Sequence, residues 1–171
     1  RVEGDIDMDT GSGSVTATGI RGQLNVDTGS GDVNVSDATV GSLGVDTGSG
    51  SVQVDRFTAD ALEVDTGSGN VTATGDAGRV LVDTGSGSVS LSLGAALREV
   101  SVDTGSGDVT LMVPDGYGAR VSMETSSGDL DVGLPVQLIR HGRNALEGTL
   151  GNGAGSVSLE TGSGNISLRR R

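Results

Sequence analysis

Residues 24–35 read Leu-Asn-Val-Asp-Thr-Gly-Ser-Gly-Asp-Val-Asn-Val, and this stretch decides the fold. Apolar residues alternate with polar ones on both sides of a central Thr-Gly-Ser-Gly. Because successive side chains of an extended backbone point to opposite faces, this alternation predicts two short strands, each with one buried face. The segment between the strands predicts a tight corner, since glycine adopts backbone conformations that other residues avoid.

The same motif recurs along the whole chain. Asp-Thr-Gly-Ser-Gly occurs six times, and variants at residues 124–128 and 160–164, which begin with glutamate, bring the number of units to eight. The central threonines are Thr10, Thr28, Thr47, Thr66, Thr84, Thr104, Thr125 and Thr161. They are separated by 18, 19, 19, 18, 20, 21 and 36 residues, so only the last interval is about twice as long as the others. A near-constant period of this length indicates a stacked repeat protein.

Aligning the eight units on the threonine gives four columns that contain only apolar residues. The columns lie four and two residues before the threonine and five and seven residues after it, and together they comprise 32 positions. The intervening positions are nearly all polar, with Leu81 as the visible exception. A unit of two short strands cannot bury its own apolar face, so the units are expected to coil and stack, each strand beside its equivalent in the next turn.

The sequence therefore predicts an all-β, single-domain parallel β-solenoid, or β-helix, over residues 1–171, with about eight rungs of 18–21 residues. The handedness rule for parallel crossovers favours a right-handed coil. We expect regular rungs over residues 1–113 and a less regular part over residues 114–171. Within that part, residues 134–155 are expected to form a cap or a degenerate rung, because a terminal rung otherwise leaves unpaired strand edges.

The corners are the fixed points of the repeat, and their residues are predicted to have structural roles. The glycine three residues after each threonine is present in all eight units, which predicts a positive φ there. The threonines are expected to point inward, to form hydroxyl ladders and to satisfy backbone groups of the corner. The corner residues of units two to four are Thr28, Gly29, Ser30, Gly31, Thr47, Gly48, Ser49, Gly50, Thr66, Gly67, Ser68 and Gly69.

The composition excludes several classes of site. The chain has no cysteine, one histidine (His141), one phenylalanine, one tyrosine and no tryptophan. Disulfides and thiolate metal sites are therefore impossible, and two aromatic residues cannot form a base-stacking platform. The 11 basic and 23 acidic residues give a net charge of −12, which repels nucleic acid and anionic lipid. No apolar run approaches the ~20 residues that a membrane-spanning helix needs.

Two motifs look chemical, but the repeat explains them better. Asp-Thr-Gly is also the active-site tripeptide of aspartic proteases, which hold two carboxylates that share a proton between two lobes. Here the tripeptide recurs on consecutive rungs, and a tripeptide without its site geometry does not indicate the function. The corner serines are likewise repeated equivalents, with His141 as the one histidine available as a base. The sequence thus predicts no catalytic residue, no cofactor site and no metal site.

An acidic residue precedes every threonine, and stacking would align these residues in an outward column. The members of this acidic column are Asp9, Asp27, Asp46, Asp65, Asp83, Asp103, Glu124 and Glu160. Like charges about 5 Å apart repel one another. Either each aspartate accepts hydrogen bonds from its own corner as an Asx-type turn, or the column recruits cations. The Asx interpretation is favoured, because calcium needs six to eight oxygens and a row of single carboxylates converges poorly.

Residues 24–35 and 100–111 have the general form Val-x-Val-Asp-Thr-Gly-Ser-Gly-Asp-Val-x-Val, and this form resembles the bacterial putative-adhesin family of domains of unknown function. The end of the chain is similar to that family too, with a proline turn at Pro114, a Ser-Gly rung up to Asp131 and a glycine-rich run from Gly148 before the last strand. The resemblance covers essentially the whole chain. It implies a β-solenoid in a bacterial, envelope-associated protein, and it offers no functional residue to carry over.

Three functions from different classes are in competition. The first is a noncatalytic, adhesin-like repeat scaffold of the cell surface or envelope, with cell-surface partners. The second is a self-associating module that stacks end to end through an uncapped first rung, as the start at Arg1 without methionine, interpreted as a trimmed or mature piece, would permit. The third is a carbohydrate-active β-helix enzyme, which the scarcity of aromatic sugar platforms disfavours. We favour the first, with no nucleic-acid partner and no enzymatic activity, in the cell envelope or outside the cell.

Overall fold

The structure, a computed structural model, describes residues 2–171 and is built of strands. Arg1, the residue on which the expectation about the chain start rested, lies outside the described residues. The strands are β1 (Val2–Thr10), β2 (Val15–Thr18), β3 (Ile20–Thr28), β4 (Val33–Ser36), β5 (Thr39–Thr47), β6 (Val52–Ser68), β7 (Val71–Ser86), β8 (Val89–Leu93), β9 (Glu99–Ser106), β10 (Val109–Val113), β11 (Ala119–Ser127), β12 (Leu130–Val132), β13 (Val136–His141), β14 (Ala145–Leu150), β15 (Gly155–Ser163) and β16 (Ile166–Arg170).

The predicted parallel β-solenoid is confirmed. Each unit contributes one strand before its corner and one strand after it, and equivalent strands pair in parallel register. We call the sheet of strands that precede the corners the front face, and the sheet of strands that follow them the back face. The long strands β6 and β7 bend, so that their first residues lie on the back face and their last residues on the front face.

The rungs follow chain order through about six turns, slightly fewer than the eight rungs that the sequence predicts. On the front face the order is β1, β3, β5, β6, β7, β9, β15, β11, so the eighth unit lies between the sixth and the seventh. The back face repeats this order, because β16 pairs with both β10 and β12. The doubled interval between Thr125 and Thr161 supplies enough chain for the last unit to return into the gap.

The four apolar columns form the core, as the alternation predicts. Of their 32 positions, 27 are buried, and Val33, Val54 and Leu111 have no measurable exposure. Leu81, the outward exception of the repeat, is 37% exposed. The columns stack in register on both faces, so each aliphatic side chain packs against its equivalents above and below, which is the ladder arrangement that close packing favours.

The connections between rungs close the solenoid and add core residues that lie outside the repeat alignment. Phe57, in the connection within β6, is 2% exposed and is one of the largest buried side chains. The other buried connection and end residues are Ile20, Ala38, Val40, Ala59, Ala77, Leu93, Leu97, Val113, Ala119, Leu146 and Leu150. The variable segments therefore form a third wall of the core and are more than surface linkers.

The segment 134–155, for which the sequence predicts a cap or a degenerate rung, contains the antiparallel hairpin β13–β14. Strand β14 pairs antiparallel with β11, and β13 pairs antiparallel with β14. Strand β13 therefore runs in the same direction as the solenoid strands, and it forms the last strand of the front face at this end. Strand β1 forms the last strand at the opposite end.

Candidate functional site

The corners combine a backbone conformation that requires glycine with a close contact that favours glycine, although unit seven has Ser126 at the second of these positions. At the position three residues after each threonine, φ lies between +130° and +156° in all eight units, which confirms the predicted positive φ. The glycine that directly follows the threonine has a different reason. A Cβ atom on Gly48 would lie 2.6 Å from the carbonyl oxygen of Gly29 in the neighbouring rung, and Gly67 is related to Gly48 in the same way. The corner glycines thus allow the rungs to stack at strand spacing.

The corner threonines point inward and link neighbouring rungs. Thr28, Thr47 and Thr66 are each at most 1% exposed. The Oγ1 atom of Thr47 donates to the carbonyl oxygen of Gly31 at 3.4 Å, and that of Thr66 donates to the carbonyl oxygen of Gly50 at 3.5 Å. The hydroxyl of Thr28 is buried without a hydrogen-bond partner among the described residues.

The threonine hydrogen bonds also record the inserted rung. Thr161 donates to Gly107 of the sixth unit at 3.0 Å, and Thr125 donates to Gly164 of the eighth unit at 3.0 Å. By contrast, the side chains of Ser30, Ser49 and Ser68 are exposed, and the backbone carbonyls of Ser49 and Ser68 accept the N–H of the corner glycine in the preceding rung at 2.9 Å. The inward threonines are therefore the corner side chains that bridge rungs.

A second polar ladder stands just after the corner, and the sequence reasoning missed it. Asp32 Oδ1 accepts the N–H of Ser51 at 2.8 Å, Asn70 Oδ1 accepts that of Ser88 at 2.9 Å, and Asp108 accepts that of Asn165 at 2.8 Å. Each bond joins one rung to the next. The signal was present, because this position holds only serine, aspartate or asparagine: Ser14, Asp32, Ser51, Asn70, Ser88, Asp108, Asp129 and Asn165.

The acidic column runs along the front face in register, and all eight of its residues are exposed. The Asx interpretation of this column is wrong. Within residues 2–171, the side-chain hydrogen bonds at the corners come from the threonines, from the ladder after the corner and from Asn144, which donates to the carbonyl oxygen of Ser126, and the ion pairs involve other carboxylates. The column thus consists of carboxylates at strand spacing that have no structural partner in the described chain.

An exposed ion pair marks the turn that follows the back face in units two and three. Arg56 Nε and Nη2 donate to the two carboxylate oxygens of Asp37 at 2.8 and 2.9 Å. Both residues have a left-handed backbone, with φ of 56° at Asp37 and 51° at Arg56. The equivalent position in the first unit is Gly19. The hydrogen bond from Arg56 lowers the pKa of the Asp37 carboxyl, and the same bond raises the pKa of the Arg56 guanidinium. The pair therefore links two adjacent turns of the solenoid.

A cavity of about 410 Å³ opens where three connections, residues 95–98, 114–118 and 152–155, meet near the hairpin end of the stack. Its walls include Leu97, Arg98, Asp115, Tyr117 and Asn152. The Tyr117 hydroxyl is buried without a hydrogen-bond partner in the described structure, and burial raises the pKa of Tyr117 to about 12. The lining thus includes a guanidinium, a carboxylate and a phenol ring, and the Asp115 carboxylate forms an ion pair with Arg170 Nε at 2.6 Å.

The hairpin β13–β14 exposes an unusual mixture of residues. Leu138 is 55% exposed and Ile139 is 74% exposed, and the exposed Arg140, His141 and Arg143 follow them in the chain. His141, the only histidine, therefore lies on the surface of the hairpin, distant in sequence from every corner. Among residues 2–171, no three acidic or histidine side chains converge as metal ligands, and no helix could cross a membrane.

Comparison with known proteins gives a family. A family model described as Toastrack DUF4097 matches residues 2–169, which include all eight units and the hairpin. No curated protein matches the chain. A solved structure described as a putative cell adhesion protein from Clostridium sporogenes is similar, with a TM-score of 0.44 and 12% sequence identity over 99% of this chain and 92% of that chain.

Proposed function

The chain belongs to the Toastrack DUF4097 family of domains of unknown function, and we propose that it is a noncatalytic, adhesin-like repeat scaffold of the bacterial cell surface or envelope. Its role is to hold a repeated polar surface in a fixed geometry. The observation that carries this proposal is the acidic column, eight exposed carboxylates in register on the front face.

The frame beneath the column suits this role. Backbone pairing fixes each rung against its neighbours, and the inward threonines and the ladder after the corner add rung-to-rung hydrogen bonds. The apolar columns below are fully buried through the middle of the stack. A surface on such a frame keeps its spacing when a partner binds, so it loses little conformational entropy.

The column itself suits contact with a repeated cationic partner. One carboxylate stands on every rung at the strand spacing of about 4.8 Å. Each exposed ion pair contributes little by itself, about 0–1 kcal/mol. Several weak contacts to one polymer add up, because each bound group raises the effective concentration of the next. A cationic glycan chain or a polybasic surface segment is the partner class that this geometry favours.

The test uses beads that carry the purified domain and a surface coated with chitosan, a cationic glycan polymer. We expect wild-type beads to be retained and beads with Asp46→Asn/Asp65→Asn/Asp83→Asn to be released. The matched control is Asp5→Asn/Asp60→Asn/Glu147→Gln, which changes the net charge equally at scattered exposed positions. Equal retention of both triple variants would show a bulk charge effect, and no retention of wild type would overturn the proposed partner class. Antibody labelling of intact source cells checks the surface location.

A further inference from the structure

The two ends of the front face both present a strand with one unpaired edge. Within the described chain, β1 pairs with β3 alone and β13 pairs with β14 alone. The outer edge of each strand therefore carries backbone N–H and C=O groups that are free to pair with another strand.

Both ends also leave apolar surface incompletely covered. Of the 32 column positions, the five that are only partly buried belong to the first and last rungs of the stack: Ile6, Met8, Val15, Leu130 and Val132. Beyond the last rung, Leu138 and Ile139 of the hairpin are more than half exposed. The remaining 27 column positions are buried, so the incomplete coverage is a property of the ends.

The charges of the two ends are opposite. The first rung carries four carboxylates, those of Glu3, Asp5, Asp7 and Asp9, against one arginine, Arg1, which lies outside the described residues. The hairpin carries Arg140, His141 and Arg143, with Glu147 as its one acidic residue. Two first rungs placed edge to edge would bring like charges together, whereas a first rung beside a hairpin brings opposite charges together.

The register of the sheet aligns these charges. Arg140 pairs with Glu147, which pairs with Ser122, and this position continues from strand to strand across the front face to Asp7. In the same way Leu138 lies on the column of Ile6. Asp7 and Arg140 thus occupy the same column at opposite ends of the sheet. Because β13 runs in the same direction as the solenoid strands, a neighbouring β1 would extend the sheet in parallel.

We propose that copies of this chain stack end to end, with β1 of one copy paired in parallel beside β13 of the next. On the front face this contact places Asp7 opposite Arg140 and Ile6 beside Leu138, with Ile139 accommodated by the β-bulge that β13 already forms against β14 between Leu138 and Arg140. The two surfaces differ, so the contact is heterologous and repeats along an open filament. The occupant of each end is therefore a second copy of this chain, independently of what the acidic column binds.

The test is sedimentation velocity over a wide range of protein concentration in about 0.15 M salt, where the Debye length of about 8 Å screens the net repulsion between copies. The wild-type chain is expected to grow in mass with concentration. Asp7→Arg and Arg140→Glu are each expected to remain monomeric. The control Glu63→Arg reverses a charge on the same column in the middle of the sheet and is expected to associate like wild type.

Mixing the two monomeric variants gives the sharpest outcome. Each variant retains one unchanged end, and the two altered ends are complementary to each other, because the arginine introduced at position 7 faces the glutamate introduced at position 140. The mixture is therefore expected to grow in mass with concentration as the wild-type chain does. Thermal melts establish that each variant is folded. A wild-type chain that is monomeric at every concentration would overturn the proposal and would mean that the edge charges protect against pairing. Association that both single variants retain, or that their mixture fails to restore, would overturn it as well.

Discussion

The solenoid consists of two regions that use the same repeat differently. Through residues 2–113 each rung stacks on the one that precedes it in the chain, so paired residues such as Val45 and Val64 are 19 positions apart. In residues 114–171 the last unit enters between two earlier ones. Val157 there pairs with Val100 and Val121, which lie 57 and 36 positions away.

The difference shows that the repeat defines the rung and leaves the order of the rungs open. Every unit presents the same apolar columns and the same corner, so any rung can pair with any other in register. Order follows from the connections, because a short connection reaches only the neighbouring slot. The long segment that contains the hairpin releases the eighth unit from this limit, and its distant contacts are of the kind that form late in folding.

The largest effect is expected from two deletions of equal length, residues 2–18 and residues 155–171. The first removes an end rung and leaves β3 as the new edge, so a cooperative melt with a lower midpoint is expected. The second removes β15 and β16 from between the sixth and seventh units, so that Val100 and Val121 both lose a packing partner. We expect the second variant to lose the folded structure of the region after residue 113, measured by circular dichroism and hydrogen exchange.

Equal melting midpoints for the two deletions would contradict the difference between the regions. That result would mean that β11 moves to pair directly with β9 at little cost, and the order of the rungs would then be a weak preference.

Replacing Val64 by aspartate is expected to unfold the domain. Val64 is 1% exposed, and an unpaired carboxylate in this core costs several kcal/mol, a large fraction of the about 5–15 kcal/mol that stabilises a domain. Ile6→Asp, in the partly buried first rung, is expected to cost less, and Leu81→Asp, on the outside, is expected to be tolerated. Thermal melts rank the three variants. A Val64→Asp variant as stable as Leu81→Asp would mean that the inward and outward faces are wrongly assigned.

Much of this architecture could be predicted from the sequence, and the limits have physical causes. The columns and the corner glycines are local patterns, so period and composition reveal them. The order of the rungs is a long-range choice among equivalent partners, which no single unit encodes. The burial of Phe57 was not predicted, because the third wall of the core lies in connecting segments whose lengths vary from unit to unit. The ladder of Asp32 and its equivalents could have been predicted from its composition. The Asx interpretation instead assigned the hydrogen bonds to the acidic residue before the threonine, such as the one beside Thr28, whereas the side chains that accept them lie after the corner.

A corner substitution sharpens the comparison at the level of one residue. Gly69 has a φ of +153° and its Cβ position is occupied by backbone of the neighbouring rung, whereas Gly41 has open space. Gly69→Val is expected to destabilise by at least about 2 kcal/mol, from backbone strain and the displaced neighbour. Gly41→Val is expected to be nearly neutral. Chemical denaturation measures both, and similar losses would show that stacking at the corner is not what requires glycine.

The smallest effect concerns the cavity near the hairpin end of the stack. Burial raises the pKa of Tyr117 from 10.0 to about 12, so the unfolded chain loses this proton at lower pH than the folded chain. The stabilisation is complete below about pH 10 and is lost as pH rises toward 12. Tyr117 is the only tyrosine, so its ultraviolet absorbance reports its ionisation directly. An ionisation midpoint near pH 10 in the folded protein would contradict the burial of its hydroxyl.

Disulfide trapping tests the inserted rung most directly, because the native chain has no cysteine. Ser158 pairs with Ser101 on one side and with Ser122 on the other. Adjacent strands lie about 4.8 Å apart, within disulfide reach, whereas strands two places apart are about 10 Å apart and cannot be bridged. Ser101→Cys/Ser158→Cys is therefore predicted to form an intramolecular disulfide on mild oxidation, and Ser101→Cys/Ser122→Cys is predicted to stay reduced. A disulfide in the second variant and none in the first would show rungs in chain order and contradict the account.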